Sequence, residues 1–383
     1  MLATITLPMI RNGATGGGRA DTPHFAGTLA FLEQMFYSGP MRWRQLQLID
    51  TEPSAPPLIE RSAVARTFDT PEFAGLTFYE IQAKSIINRV PTGSRMPFQY
   101  TINPYRGCSH ACRYCFARNT HRYLDLDAGA DFDSKVIVKV NAPQLLAREL
   151  QSRRWRGGSI AMGTNVDCYQ RAEGRYRLMP GILSALRDAA NPFSILTKGT
   201  LILRDLPLLE QAADRARVST AMSVGFVDSE LWREVEPGTP RPSARLEAVA
   251  RLRDAGIDCN VLIAPILPFL GDSDRALREV VAACSEAGAT GVTPIVLHLR
   301  PGAREWYMQW LMRAHPVWCR SIGSCTPVAP TPIGTTNDAS VGGFVNWPPN
   351  TASDAVLTEV RRNRPRRRHS PRCSKRPATR RSR

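Results

Sequence analysis

Three cysteines fall within eight residues of this chain. The stretch GCSHACRYCFAR, residues 107–118, sets Cys108, Cys112 and Cys115 at C-x3-C-x2-C spacing, and no fourth cysteine follows nearby. In a reducing compartment, thiols gathered this closely read as metal ligands rather than as a disulfide framework. Two chemistries fit. Structural zinc takes four ligands, usually as two separated pairs. Here His110 completes a Cys3His set only from inside the same short loop. A [4Fe–4S] cube on three thiolates keeps one iron open, and an open position marks a metal that works on a substrate or cofactor. The ferredoxin run C-x2-C-x2-C-x3-C-P is a different spacing.

Other polar residues follow apolar runs. Thr164, Asn165, Asp167 and Cys168 lie in GTNVDC after SIAM, Lys198 ends FSILTK, and Ser223 ends VSTAMS. Glu236 and Arg245 flank PGTPRPSA, and an acid and a base so placed pair with each other by default. Thr164 and Asn165 also suit a helix N-cap. Cys168 doubles as a small hydrophobe. His298 and Arg300 close LHLRP, where they meet an anionic substrate or cap the end of a barrel. Trp306, Tyr307, Met308, Trp310 and Met312 form a stripe at helical spacing, which is core first and substrate wall second.

These residues need elements to hold them. From about residue 97 to 316, short β-branched runs alternate with amphipathic stretches. The expected strands are FQYTI (98–102), SIAMGT (159–164), FSILTKG (193–199), VSTAMSV (218–224), DCNVLIAPI (258–266) and GVTPIVLHL (291–299). KVIVKV (135–140) is an extra edge or connecting strand. Helices are expected over 142–155, 178–190, 206–216, 243–256, 275–288 and 304–314, with Gly256 and Gly288 ending two of them. Strands alternating with helices mean βαβ units and a parallel sheet. Six units are too few for the closed eight-stranded barrel. They suit a partial barrel or an open doubly wound sheet, and either puts the site at the strands' carboxyl ends. The cysteine loop follows the first strand and so lies on that edge.

The composition bounds the rest. The chain has 383 residues, 43% of them hydrophobic, and no apolar run reaches the roughly 18 residues of a membrane span. The start MLATITLPMIRNG lacks a basic leader and makes a poor signal peptide, so the expected location is cytoplasmic. Net charge is +16, but residues 361–383 hold 12 Lys/Arg and no Asp/Glu, which leaves +4 for everything before them. Such a tail reads as disordered, with non-specific polyanion binding as its one evident use. Four segments follow: a flexible extension (1–40, with Met41 an alternative start), a segment packing on the barrel (41–96), the core (97–316), and an irregular Arg-rich tail (317–383) of the kind an out-of-frame reading of a GC-rich gene produces. In 76–90, LTFYEIQAKSIINRV reads as a strand running into a helix.

C-x3-C-x2-C with Tyr114 before the third cysteine resembles the signature of the radical SAM superfamily. NPYRGCSHACRYCFAR, GTNVDCYQRAEGRY, ILTKGT and VEPGTPRPSARLEAVARLRDAG resemble its spore photoproduct lyase-like (DNA repair photolyase-like) subgroup over roughly residues 75–316. The resemblance implies an α/β fold, a partial (β/α)6 barrel of TIM type. It implies a [4Fe–4S] cluster on Cys108, Cys112 and Cys115. S-adenosyl-L-methionine would be cleaved reductively to a 5′-deoxyadenosyl radical, with a flavodoxin or ferredoxin as one-electron donor. By resemblance Tyr114 packs near the adenine, Thr164 and Asn165 meet the methionyl amine (Asp167 more weakly), Lys198 pairs with the carboxylate, and Ser223 contacts the ribose. The lyase's hydrogen-donor cysteine corresponds to Met162 or Gly163, neither a thiol. Cys168, several residues later, is the tentative donor, and that offset weakens thymine-dimer repair as the reaction. The expected substrate is a nucleic-acid lesion, or else a protein, RNA or small metabolite. A reading from another class is a zinc-stabilised nucleic-acid-binding protein that uses the tail.

Overall fold

The structure is a computed structural model of the chain that describes residues 5–6, 59, 63–91 and 96–321, with side chains as far as 318. All of these belong to the unit Met1–Asn346. In chain order the strands are β1 (Ile5–Thr6), β2 (Val64–Arg66), β3 (Thr77–Ile81), β4 (Ile87–Arg89), β5 (Tyr100–Ile102), β6 (Tyr105–Arg106), β7 (Lys135–Lys139), β8 (Ile160–Met162), β9 (Phe193–Thr197), β10 (Val218–Ser223), β11 (Cys259–Ile266) and β12 (Gly291–Val296). The α-helices are α1 (Ala130–Ser134), α2 (Ala142–Leu150), α3 (Arg171–Tyr176), α4 (Leu178–Asp188), α5 (Leu206–Ala213), α6 (Ser229–Val235), α7 (Pro242–Asp254), α8 (Asp274–Glu286), α9 (Ala303–Ala314) and α10 (Pro316–Ser321).

Six strands run parallel in the order β5-β8-β9-β10-β11-β12, with helices in every crossover after β8. Antiparallel strands flank the set, β4 beside β5 and β1 beside β12, so the wall is a partial (β/α)6 barrel. Strands covered on both faces need apolar residues in a row, and β8 meets this with Ile160, Ala161 and Met162 all buried. Gly256 and Gly288 follow α7 and α8 with φ +78° and +73°, as their C′ positions require.

KVIVKV joins neither edge of the barrel. As β7 it centres a second sheet, β2-β3-β7-β6, parallel to β3 and antiparallel to β6. That sheet carries Arg106 of β6 to the threshold of the cysteine loop. Residues 76–90 contain no helix. The backbone N–H groups of Ile86 and Ile87 donate to the Glu149 carboxylate at 3.0 and 2.9 Å, and Ile87–Arg89 pairs with β5. The apolar run there is too short to sustain a helical face, so sheet pairing wins. Helices α3 and α6 have only six and seven residues, below the length at which periodicity speaks. The helical core runs past 316 through α10. The expectations for residues 1–40 (except Ile5–Thr6), for Met41 and for 322–383 lie outside the described residues. Among the described residues, no helix is long and apolar enough to cross a membrane.

Candidate metal and cofactor site

The cysteine loop begins at Gly107, whose φ is +81°. A Cβ there would sit 2.7 Å from the Lys135 carbonyl and 2.9 Å from His121 Cε1, so only glycine fits both the backbone and the space. Two tight turns follow. Ala111 N–H donates to the Cys108 carbonyl at 3.2 Å, and Cys115 N–H donates to the Cys112 carbonyl at 3.2 Å. Cys108 and Cys112 are buried and Cys115 is half-buried. Burial pushes all three thiols upward in pKa; Asp167 and the two partner thiols raise Cys108 further, while Arg118 opposes the rise at Cys115. Among the described residues, no three His, Cys, Asp or Glu side chains are gathered as a single ion requires. A cube takes each thiolate on a separate iron.

Three clamps fix the loop. Gln170, fully buried, bridges the first cysteine: its Nε2 donates to the Gly107 carbonyl at 2.9 Å, and its Oε1 accepts from Ser109 N–H at 2.9 Å. The linker between α6 and α7 holds the middle. Gly238 N–H donates to the His110 carbonyl at 3.1 Å, Arg113 N–H donates to the Val235 carbonyl at 2.9 Å, and a Cβ on Gly238 would lie 2.1 Å from the Ser109 carbonyl. Arg118, also fully buried, holds the end. Its Nη2 donates to the Cys112 carbonyl at 2.9 Å and to both oxygens of Asp133 at 2.8 and 2.9 Å; its Nη1 donates to the Gly129 carbonyl at 2.8 Å. The guanidinium carbon lies 5.2 Å from the Phe132 ring centroid and 4.8 Å from that of Trp306. His110, the possible zinc ligand, faces Asp167 instead, with Nδ1 3.4 Å from Oδ2.

Beside the loop, strand ends assemble a buried polar network. Glu236, just after α6, receives a short hydrogen bond from the Tyr114 hydroxyl and pairs with Lys198 Nζ at 3.0 Å and Arg245 Nη2 at 2.7 Å. Lys198 Nζ also donates to Ser223 Oγ at 2.6 Å, and Arg245 Nη1 donates to the Ser223 carbonyl at 2.8 Å. Burial alone would raise the Glu236 pKa, but Arg245 and Lys198 bring it down to about 2. Burial and the Glu236 charge push the Tyr114 hydroxyl well up. The structure thus brings Tyr114, Lys198 and Ser223 together and makes the expected Glu236–Arg245 pair.

The loop after β8 divides its residues. Asp167 is consumed locally: it accepts from Thr197 Oγ1 at 2.6 Å, Lys198 N–H at 2.6 Å and Tyr169 N–H at 2.8 Å. No helix starts at Thr164 or Asn165, so neither is an N-cap. Asn165 Oδ1 is buried without a hydrogen-bond partner, whereas Thr164 is half-buried. Cys168 is fully buried and its thiol is pushed well up, by burial and then by Asp167 and Glu173. Arg300 stacks over Phe116, 5.9 Å from the ring centroid, and so stays next to the cysteine loop. The aromatic stripe of α9 is mainly core: Tyr307 is buried with Trp310 and Met308 against its cluster, Trp306 covers Arg118, and Met312 is exposed. Arg118, Gln170 and Gly238 carry no signal of type or spacing, although each lies in a stretch that carries the family resemblance.

A sequence model of the radical SAM superfamily matches residues 102–283. The uncharacterised protein Rv2578c of Mycobacterium tuberculosis is 52% identical over 280 residues, covering 72% of this chain and 82% of that protein. The uncharacterised protein MJ0683 of Methanocaldococcus jannaschii is 31% identical over 201 residues, covering 52% and 71%. Among solved structures, a spore photoproduct lyase variant with bound AdoMet and dinucleoside spore photoproduct aligns at TM-score 0.47 and 16% identity, over 60% of this chain and 65% of the lyase, just under two thirds of it.

Proposed function

Because the chain belongs to the radical SAM superfamily, whose members use a [4Fe–4S] cluster and S-adenosylmethionine, we propose that Cys108, Cys112 and Cys115 hold that cluster and that this chain is a hydrogen-abstracting radical enzyme. The observation that carries the reading is three cysteines, two of them buried, on one clamped loop at the carboxyl ends of the parallel strands and beside a cationic network. The donor set fits the cluster. Thiols that burial makes costly to ionise are the kind a metal centre deprotonates on binding. The site also fits S-adenosylmethionine, because the unpartnered Asn165 Oδ1 is a ready acceptor for its methionyl amine.

When bound, the reduced cluster and S-adenosylmethionine supply one electron and a 5′-deoxyadenosyl radical. The chain binds, orients and shields. Lys198 is the cation for the cofactor carboxylate, and it is aimed because Glu236 and Ser223 hold its Nζ from two sides. Arg245 balances Glu236 and fixes the end of β10 through the Ser223 carbonyl. Ser223 would meet the ribose, and Tyr114, anchored by its hydroxyl, would offer its ring to the adenine. Thr164 supplements Asn165 toward the amine.

Anaerobic reconstitution tests this directly. The expected product is a brown protein with close to four irons and four sulfides per chain, all lost in Cys112→Ala. A colourless protein that holds zinc contradicts it. Repair of a nucleic-acid lesion and modification of a protein, RNA or metabolite share the first hydrogen transfer, so the labelled candidate whose deuterium appears in 5′-deoxyadenosine identifies the substrate class.

A further inference from the structure

The second sheet sets its basic residues on one side. Across β6 and β7, Arg106 stands directly opposite Ile137, and Lys135 and Lys139 lie two residues to either side of Ile137. Side chains alternate along a strand and opposed residues share a face, so Arg106, Lys135 and Lys139 all leave the same face. The other face carries Phe78, Val136 and Val138, each fully buried. The middle of the basic face is closed by Ile59, Tyr79, Leu126 and Ile137, with Leu124 packed against them. Arg106 and Lys139 are half-buried diagonal neighbours on the two strands.

Neither is paired. Among the described residues, neither side chain makes a hydrogen bond or an ion pair. The acids around them are engaged elsewhere. Asp131 pairs with Lys135 at 3.3 Å, and Glu80 lies on the opposite face, held by Tyr176 and Arg66. Glu149 accepts from the Ile86 and Ile87 N–H groups, and Asp127 accepts from those of Gly129 and Ala130. Exposed Asp125 bonds neither cation. Burial and then Arg106 push the Lys139 ammonium down to about 8, against the pull of Glu149. Two like charges side by side, half out of water and unpaired, cost stability. An anion that both contact offsets that cost. Two more polar groups stand by: the phenol of exposed Tyr123 bears on Arg106, and fully buried His121, packed on Gly107, has an Nδ1 with no hydrogen-bond partner.

We propose that Arg106 and Lys139 form an anion site on the basic face of the second sheet, and that its ligand is a phosphate group. An arginine fork takes two phosphate oxygens and a lysine adds a point charge. A doubly charged phosphate matches the two cations, whereas a single carboxylate would leave one of them unbalanced. Neither residue belongs to the network around Glu236, and the proposal does not depend on the cluster reading.

The test is thermal melting of the full-length protein, titrated with inorganic phosphate at an ionic strength held constant with chloride. Phosphate is expected to raise Tm saturably in the wild type. Lys139→Met keeps the apolar stem and removes the charge, so it should melt higher than wild type in chloride and lose the phosphate response. Lys139→Arg keeps the response. A wild type that responds to phosphate no more than to chloride overturns the proposal. So does a Lys139→Met protein that responds as the wild type does, which leaves the lysine a structural role. The Arg-rich end, 361–383, is common to all three proteins, so differences among them report the sheet. The source of the phosphate is read from the binding of a single-stranded oligonucleotide to the same proteins. A roughly tenfold weaker affinity in Lys139→Met makes it a phosphodiester of nucleic acid. An affinity equal to wild type, with the inorganic phosphate response lost, makes it the phosphate of a small molecule.

Discussion

Arg118 is a cation enclosed by protein, and its value lies in what it would leave behind. Its fork satisfies Asp133 and the Cys112 and Gly129 carbonyls at once. Breaking a buried pair strands its partner, at a cost of about 3–5 kcal/mol. Arg118→Met is expected to lose that much stability by chemical denaturation and to bind less iron on reconstitution. Arg118→Lys keeps a charge but not the fork, so it should fall between the two. Glu236 gives a pH signature. Its folded pKa of about 2 lies below the ordinary 4.5, so its contribution to stability is full above about 4.5 and is lost as pH falls toward 2. Denaturation midpoints measured from pH 7 to pH 3 should fall less steeply for Glu236→Gln than for wild type, from a lower start, because Lys198 and Arg245 then lack their counter-ion. Cys168 is enclosed. We expect Cys168→Ala to leave 5′-deoxyadenosine formation unchanged; a changed product or stereochemistry would identify it as the hydrogen donor, and an unchanged one would remove it from the mechanism. At this scale the cysteines, Lys198 and Ser223 were legible, because metal-ligand spacing and a polar residue ending an apolar strand are local signals. Arg118 was not, because no local pattern marks its bonds across the crossover to Gly129 and Asp133, and only the fold brings Trp306 over it.

The elements matter for where they end. Strands β5, β8, β9 and β10 end at Ile102, Met162, Thr197 and Ser223, and the stretches that follow them, the first by way of β6, hold the site. All six parallel strands were readable from β-branched runs, and the longer helices between them from their periodicity. The second sheet was not, since the partners of β7 are β3 and β6, and nothing local specifies a pairing of Thr77 with Lys135. The short α3 and α6 escaped for want of a full period, although Asp228 caps α6 by accepting from Glu230 N–H at 2.8 Å and Leu231 N–H at 3.0 Å. Two glycines test the element account in opposite directions. A methyl on Gly238 collides with the Ser109 carbonyl, so Gly238→Ala should lower Tm and iron loading together. A methyl on Gly174, inside α3, meets only Leu201 Cδ1 at 3.8 Å, so Gly174→Ala should stabilise by about 0.5–1 kcal/mol in thermal or denaturant melts.

Over the whole molecule, charge and chemistry separate. Of the +16 net charge, 12 positive residues lie in 361–383, outside the described residues, while Lys198, Arg245 and Arg118 are each tied to a carboxylate near the cysteine loop. Deleting residues 361–383 is expected to weaken DNA binding and flatten its salt dependence while leaving cluster loading intact. Membership of the radical SAM superfamily predicts that a bound cluster would engage S-adenosylmethionine. The most direct measurement is electron paramagnetic resonance of the reduced, reconstituted protein with and without S-adenosylmethionine, alongside an assay for 5′-deoxyadenosine. The account predicts a cluster signal that S-adenosylmethionine perturbs, and 5′-deoxyadenosine that disappears in Cys112→Ala. A cluster signal indifferent to S-adenosylmethionine, with no 5′-deoxyadenosine formed, would contradict it.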